Sequence, residues 1–402
     1  MELFLLFLRI GCVAFGGFMA LVSVIESVVV ERRRLLRHED MLDGISLANL
    51  LPGPLAVNVV AYVGYRLRGG VGALAAATGV LLPSFLLLLG LTELYFRYGD
   101  VAALTAIFSG FTPAVAAVIA SVVWRMGGKN LRATPERLIA LASLVVFLWA
   151  PAESKQSVSF GVLGVCAALG LLLFRRPVEE AARADAAPLP VGRMVLTVSL
   201  IGLLAVLSTL PLDLDPDGLP RLGLTFGGMS VMLFGGGFVM IPMIQEVVVG
   251  QFGWLTEQQF IDGIALGQVT PGPILISATF IGQRVGGLAG ALVATISIFA
   301  PPAVLMVTAS QALEAIKRSP RIAAALRGIR CGVIGMIASA AWLVLRSGAP
   351  AGLDDLPQLA FAGLVFLLAL VALVRLKLDV VWVIPASGIA GYLFATAPSW
   401  IG

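Results

Sequence analysis

Phe15-Gly16-Gly17-Phe18 is followed by Leu51-Pro52-Gly53-Pro54. Further on, Phe234-Gly235-Gly236-Gly237-Phe238 is followed by Thr270-Pro271-Gly272-Pro273. The same two breaks thus occur twice, 219 residues apart. Between and beyond them the register holds. Glu26 matches Glu246, Asp43-Gly44-Ile45 matches Asp262-Gly263-Ile264, Arg66 matches Arg284, Pro83 matches Pro301, and Trp124 matches Trp342. An apolar half that is duplicated, with helices interrupted by Gly and Pro at corresponding places, points to a transporter binding site.

The composition fits a membrane solvent. Hydrophobic residues make up 59% and charged residues 12% of the 402-residue chain, against about 25% charged in soluble domains. Apolar runs able to cross about 30 Å of hydrocarbon recur throughout. Met1–Phe18 lacks the basic start and small-residue cleavage site of a signal peptide. The net charge of +4 comes from short basic clusters between apolar runs, a pattern that does not suggest nucleic acid. Cys12, Cys166 and Cys331 are scattered without metal-ligand spacing, so buried thiols are expected, with no metal site and no cofactor.

The Lys and Arg positions discriminate between topologies. If every run crossed once, the cluster Arg32-Arg33-Arg34 and Arg37 would fall on the outer face. If the broken runs are instead hairpins that enter and leave on one face, only Arg97, Lys155, Arg221, Arg284 and Arg346 lie outside. The basic loop 31–40 then has a partner, 247–256, with no Lys or Arg, whereas Arg97 faces a partner region rich in them. Charge that changes sides between matching segments indicates an inverted repeat. The expected fold is therefore an all-α polytopic membrane protein, an inverted-topology repeat of two homologous halves. Each half has helical hairpins broken at Phe-Gly-Gly and Pro-Gly-Pro tips, plus transmembrane helices. The expected organisation is an N-terminal repeat over 1–174, a cytoplasmic linker over 175–193 and a C-terminal repeat over 194–402. The N-terminus is expected in the cytoplasm.

Irregular backbone at membrane depth is tolerated where protein buries it or it lines a cavity. Pro52 and Pro54, like Pro271 and Pro273, prevent an intact helix through Gly53 and Gly272. Pro54 and Pro273 suit the first positions of new helices, and Gly16-Gly17 and Gly235-Gly236-Gly237 open two more. Four helix N-termini near the midplane would hold an anion through free N–H groups and dipoles. No Lys or Arg lies within five residues of any break, so the field is expected to come from backbone and neutral side chains. Asn49 and Gln268 precede the prolines, while Asn58 and Ser277 follow one turn after. These are either inter-helix glue or ligand donors. Glu26 and Glu246, eight or more residues beyond their glycines, read as solvated ends, salt bridges or proton-coupling groups. Arg9 either snorkels to the inner face or helps neutralise an anion. Asp43 and Asp262 are expected to cap their arms.

Over nearly its full length the chain resembles the chromate ion transporter family, as a two-half member. The strings that carry this are Phe234-Gly-Gly-Gly-Phe238, Ile244-Gln-Glu246, Gly253-Trp-Leu-Thr256, Asp262-Gly-Ile-Ala-Leu-Gly-Gln268, Thr270-Pro-Gly-Pro273 and Ala278-Thr-Phe-Ile-Gly282. The resemblance implies a multi-pass transporter of the inner (plasma) membrane that exports the chromate dianion, with sulfate as its mimic, driven by membrane potential or an ion gradient. The chain departs from the family pattern at Phe18-Met19-Ala20-Leu21 and at Asn49, where Gln is usual. An anion channel, or a carrier for another oxyanion such as sulfate, is the alternative. An enzyme would need a nucleophile–base pair or a metal set, and one loop histidine (His38) with three scattered cysteines offers neither. A homodimer is the default assembly.

Overall fold

The computed structural model describes residues 1–14, 17–98, 102–150, 155–174, 191–210, 214–231, 233, 240–311, 320–347 and 356–396. Among the described residues all regular structure is helical. The first half contains α1 (Glu2–Val13), α2 (Gly17–Glu26), α3 (His38–Leu50), α4 (Leu55–Tyr98), α5 (Ala102–Ser109), α6 (Phe111–Asn130), α7 (Thr134–Trp149) and α8 (Lys155–Leu173). An extra helix, α9 (Val191–Thr209), follows. The second half contains α10 (Leu219–Ser230), α11 (Ile241–Gln245), α12 (Glu257–Val269), α13 (Ser277–Ser310), α14 (Pro320–Ser347), α15 (Leu356–Val374) and α16 (Val380–Thr396). Helix α9 starts inside the expected 175–193 linker, whose residues 175–190 lie outside the described set.

The halves repeat in detail as well as in outline. Each carries a wide π-helical turn at the same place, Ser27–Arg32 and Glu246–Gln251. Helices α4 and α13 each contain a two-residue interruption, with Arg68 at φ −145° and Gly69 at φ 63°, and Gly286 at φ −138° and Gly287 at φ 58°. A Cβ on Gly64 would strike the Gly72 carbonyl, and one on Gly282 the Gly290 carbonyl. Residues eight apart in a straight helix are about 12 Å apart. The chain therefore doubles back at these interruptions into two arms in backbone contact, with a short arm over 55–67 and a long one over 70–98. Among the described residues, four stretches are long and apolar enough to cross a membrane: α4, residues 106–128, residues 274–310 and residues 357–374.

Two apolar cores follow from this arrangement. Phe7, Ile10, Leu21, Ile25, Met41, Leu47 and Tyr62 from α1 to α4 form one, closed by Met306 and Ala309 of α13. The other joins residues of α4 to α8, such as Phe85, Phe108 and Phe147, to the second half around Phe226, Phe260, Phe280 and Ile298. Cys166 and Cys331 are buried near each other in a small satellite, but Cys12 is exposed on α1, contrary to expectation. One helix is longer than hydropathy suggests. The helix containing the apolar run 331–345 extends back to Pro320, and within that extension Arg327 has a buried partner. Its guanidinium meets Glu136 of α7 at 2.6 Å, and the backbone N–H groups of Arg132 and Ala133 donate to the same carboxylate. Burial raises the Glu136 pKa, but these bonds and the Arg327 charge outweigh it and hold the carboxyl below its usual range.

Candidate functional site

The Pro-Gly-Pro segments are the irregular links between α3 and α4 and between α12 and α13. Gly53 has φ +114° and Gly272 has φ +112°, both in a region that favours glycine. Pro54 and Pro273 stand one position earlier than the sequence suggests, outside the helix. The Pro54 carbonyl accepts the bond from Asn58 N, and a 3₁₀ turn at Ile274–Ile276 precedes α13.

Each segment is held by the other half. The Gly53 N–H donates to the Leu233 carbonyl at 2.6 Å, and the Gly272 N–H donates to the Ala14 carbonyl at 2.9 Å. Ala14 and Leu233 are themselves equivalent positions, each just before a Phe-Gly-Gly motif. A Cβ on Gly53 would overlap the Pro302 ring of α13, and one on Gly272 would overlap the Ser84 hydroxyl of α4. Ser84 and Pro302 again share one place in the repeat. These reciprocal contacts relate the halves by a local pseudo-twofold. The Phe15-Gly16 and Phe234–Gly237 breaks, with Gly16, Gly235, Gly236 and Gly237, lie outside the described residues. Gly17 is placed as the first residue of α2.

The four polar candidates fall into different roles. Gln268 is buried and its Nε2 has no partner; Ser277 is buried and its hydroxyl has none. Ser277 packs against α12 at Gly267, the residue before Gln268, since a Cβ on Gly267 would sit against the Cβ of Ser277. Asn58 is fully buried, donates through Nδ2 to the Pro52 carbonyl at 3.0 Å, and has an unpartnered Oδ1. Its free end is an acceptor, while Gln268 and Ser277 offer donors. Asn49 is exposed and its amide donates to Ile45 O at 2.8 Å.

Charge is distributed by the fold in ways that spacing hides. Arg330 of α14 donates from Nη2 to the Asn49 carbonyl at 2.9 Å, at the end of α3. It brings a cation close to the first Pro-Gly-Pro from 281 residues away, so helix ends are not the only positive field there. Arg9 is exposed on α1. Glu26 meets His38 Nδ1 at 2.7 Å, and Glu246 lies against Gly250. Asp43 and Asp262 are not caps, because α3 and α12 begin five residues before them. The first turns are closed by Asp40, which accepts from Arg37 N, and by the Thr256–Gln259 capping box. Asp40 also meets Arg66 at 2.5 Å. Burial raises its pKa, but the Arg37 and Arg66 bonds prevail and lower it overall. Asp262 is 2% exposed; Tyr95 Oη donates to it at 2.7 Å and Gln258 Nε2 at 2.8 Å.

Two matched halves of apolar helices, locked through reciprocal broken segments, define a polytopic membrane protein built as a duplicated transporter. The family model described as "Chromate transporter" matches residues 1–171 and 220–392, and the chain belongs to that family. It is 31% identical over 402 residues to a chromate transport protein of Pseudomonas aeruginosa, covering 98% of this chain and 92% of that protein. It is 31% identical over 397 residues to a probable chromate transport protein of Synechococcus elongatus, covering 96% and 94%. An uncharacterized transporter of Methanocaldococcus jannaschii is 30% identical over 337 residues, covering 84% and 82%. No solved structure matches. The two family matches leave residues 172–219, α9 among them, between them.

Proposed function

We propose that the chain is a secondary transporter that exports a divalent tetrahedral oxyanion across the plasma membrane, chromate with sulfate as its mimic. The choice of ion rests on the relatives named as chromate transport proteins. The site is the region where the Pro-Gly-Pro segments meet the opposite repeat, near the membrane midplane. One observation carries it: the donors of Gln268 and Ser277 are buried and unpartnered beside the start of α13. A buried donor without a partner costs about 1–3 kcal/mol, and an oxyanion would satisfy both while sitting at a helix N-terminus. Arg330 adds positive field from the first repeat's side, and the Asn58 acceptor shapes the wall. The halves insert in opposite orientations around this site, with the N-terminus and the 175–193 linker cytoplasmic.

Uptake of labelled chromate into inverted vesicles tests the reading, with sulfate, molybdate and phosphate as competitors. Saturable uptake with counter-exchange is expected, with sulfate the best competitor. Current without exchange would make the protein a channel. Cysteines at Leu35 and Leu67 should be labelled from the cytoplasm alone, and at Gly250 and Val285 from outside alone. Opposite labelling of Leu35 and Leu67 would break the hairpin scheme.

A further inference from the structure

We propose that Asp262 is the transporter's proton-binding site, coupled to the oxyanion through α12 and α4. The inference rests on the transport reading above and adds the coupling group to it. The Asp262 carboxylate is 2% exposed and takes one donated bond on each oxygen, from Tyr95 Oη and Gln258 Nε2. The Tyr95 ring is walled by Phe96, Phe108 and Phe280 at centroid distances of 5.0–5.4 Å. A charge in such a dry place is costly unless it is paired or neutralised by a proton.

No cation pairs with it among the described residues. From α4, Arg97 stacks over Tyr98 and Glu93 accepts from Gln283. From α13, Arg284 stacks over Phe96 at 5.2 Å. From α6, Thr112 reaches Gln258. In α16 the titratable residue is Tyr392, which is exposed. Glu257, on α12 itself, accepts from Gln245, and Glu246 lies against Gly250. In the first repeat the corresponding Asp43 shares its surroundings at Tyr62 with Arg66 and Asp40. The second repeat keeps the carboxylate and the equivalent cation, Arg284, but Arg284 stacks over Phe96 and forms no ion pair with Asp262.

The geometry also supplies the coupling. Helix α4 grips the α12 segment twice, through Tyr95 at Asp262 and through Ser84 at the Pro271 carbonyl. Ser84 and Tyr95 are eleven residues apart, about three turns, and so share a face. Asp262 and Gln268 are about 9 Å apart along α12. A proton added to one carboxylate oxygen removes the negative charge that strengthens both accepted bonds and adds an O–H donor, so the contacts with Tyr95 and Gln258 weaken, and the Tyr95 hydroxyl can turn to accept. That would loosen the α4–α12 contact whose other end holds the oxyanion segment. Tyr95 and Gln258 are positioning residues in this scheme.

The test uses the full-length protein reconstituted in vesicles, with the membrane potential clamped and a pH difference imposed. Labelled chromate accumulation is followed together with internal pH. In the wild type, accumulation should change about tenfold per unit of pH difference for each proton moved. Asp262→Asn should abolish that dependence and the accompanying proton flux, and Asp262→Glu should restore part of it. Tyr95→Phe should shift the pH midpoint without abolishing coupling. Infrared difference spectra of the purified protein without oxyanion should contain a buried carboxylic-acid band that titrates and disappears in Asp262→Asn. Gradient-driven accumulation by Asp262→Asn equal to wild type, or a titrating band unchanged in that variant, overturns the proposal. If the wild type neither binds nor exchanges any oxyanion, the transport reading fails, and the spectrum still decides whether Asp262 takes up a proton.

Discussion

The two Pro-Gly-Pro segments meet the same requirement with different side chains. Each breaks a helix and leaves a proline carbonyl to be satisfied inside the protein. In the first repeat Asn58 donates to Pro52 O from the next turn of its own chain. In the second, Ser84 donates to Pro271 O from across the repeat interface. The exchange is complete: Ser277 stands at the place of Asn58, and Pro302 at the place of Ser84. Pro302 has no hydroxyl to offer Pro52, so Asn58 must supply the bond locally. Ser84 already serves Pro271, so Ser277 is left free. Duplication gave one backbone twice, and divergence committed one polar residue to structure while leaving its counterpart's hydroxyl without a partner.

The largest expected effect tests the packing side of this comparison. Gly53→Ala forces a φ that costs other residues about 1–3 kcal/mol and drives a methyl into a proline ring that cannot rotate away. Gly272→Ala carries the same backbone cost, and Ser84 can turn aside only by giving up its bond to the Pro271 carbonyl. Thermal unfolding in detergent should still place Gly53→Ala below Gly272→Ala, because the proline ring can move only with the α13 backbone. Equal losses would mean that backbone strain alone decides and the cross-repeat contact does not.

Next comes the exchange itself. Asn58→Ser leaves the Pro52 carbonyl unpaired and should cost about 1–3 kcal/mol of stability. Ser277→Ala should leave stability unchanged and weaken oxyanion binding. If both variants lower stability alike, the division of labour fails.

Binding by the two amides sharpens the comparison. Gln268→Ala should weaken oxyanion binding by about 1–2 kcal/mol, roughly five- to thirty-fold. Asn49→Ala, at the equivalent position, should change binding less, because Asn49 is exposed and its amide is engaged with Ile45. Calorimetry with sulfate or chromate reads both.

The helix starts differ in charge, which gives them different acid responses. Asp40 has a folded pKa below 3.8, so its stabilisation is present above that value and is lost as pH falls through the lower folded value. Asp40→Asn should cost about 1 kcal/mol or less at neutral pH, and little in strong acid. Gln259→Ala, in the uncharged second box, should have a cost that does not vary with pH. The smallest effect belongs to Arg9→Gln, which should change oxyanion binding less than Arg330→Gln. The reverse order would put the exposed arginine of α1, and not the one supplied by α14, in the ion's field.

Much of this was legible in the chain. Duplicated Gly and Pro breaks, the spacing of apolar runs and the composition define an all-helical membrane protein of two homologous halves. These features are local and periodic, and backbone chemistry forces them. Gln268 and Ser277 could be singled out because polar residues among apolar ones one turn from a break are conspicuous. The sequence could not show which of four similar polar residues has its bonds already filled. That depends on whether residue 84 or residue 302 lies opposite, and neither is near in sequence. Nor could it show that Arg330 reaches the end of α3, or that Asp262, which spacing suggested was a cap, is buried against Tyr95 of the other repeat. Propensity and hydropathy report each residue's preference for water or helix. Only packing decides which donor meets which acceptor, and in a low-dielectric interior that pairing determines which groups remain free for a ligand.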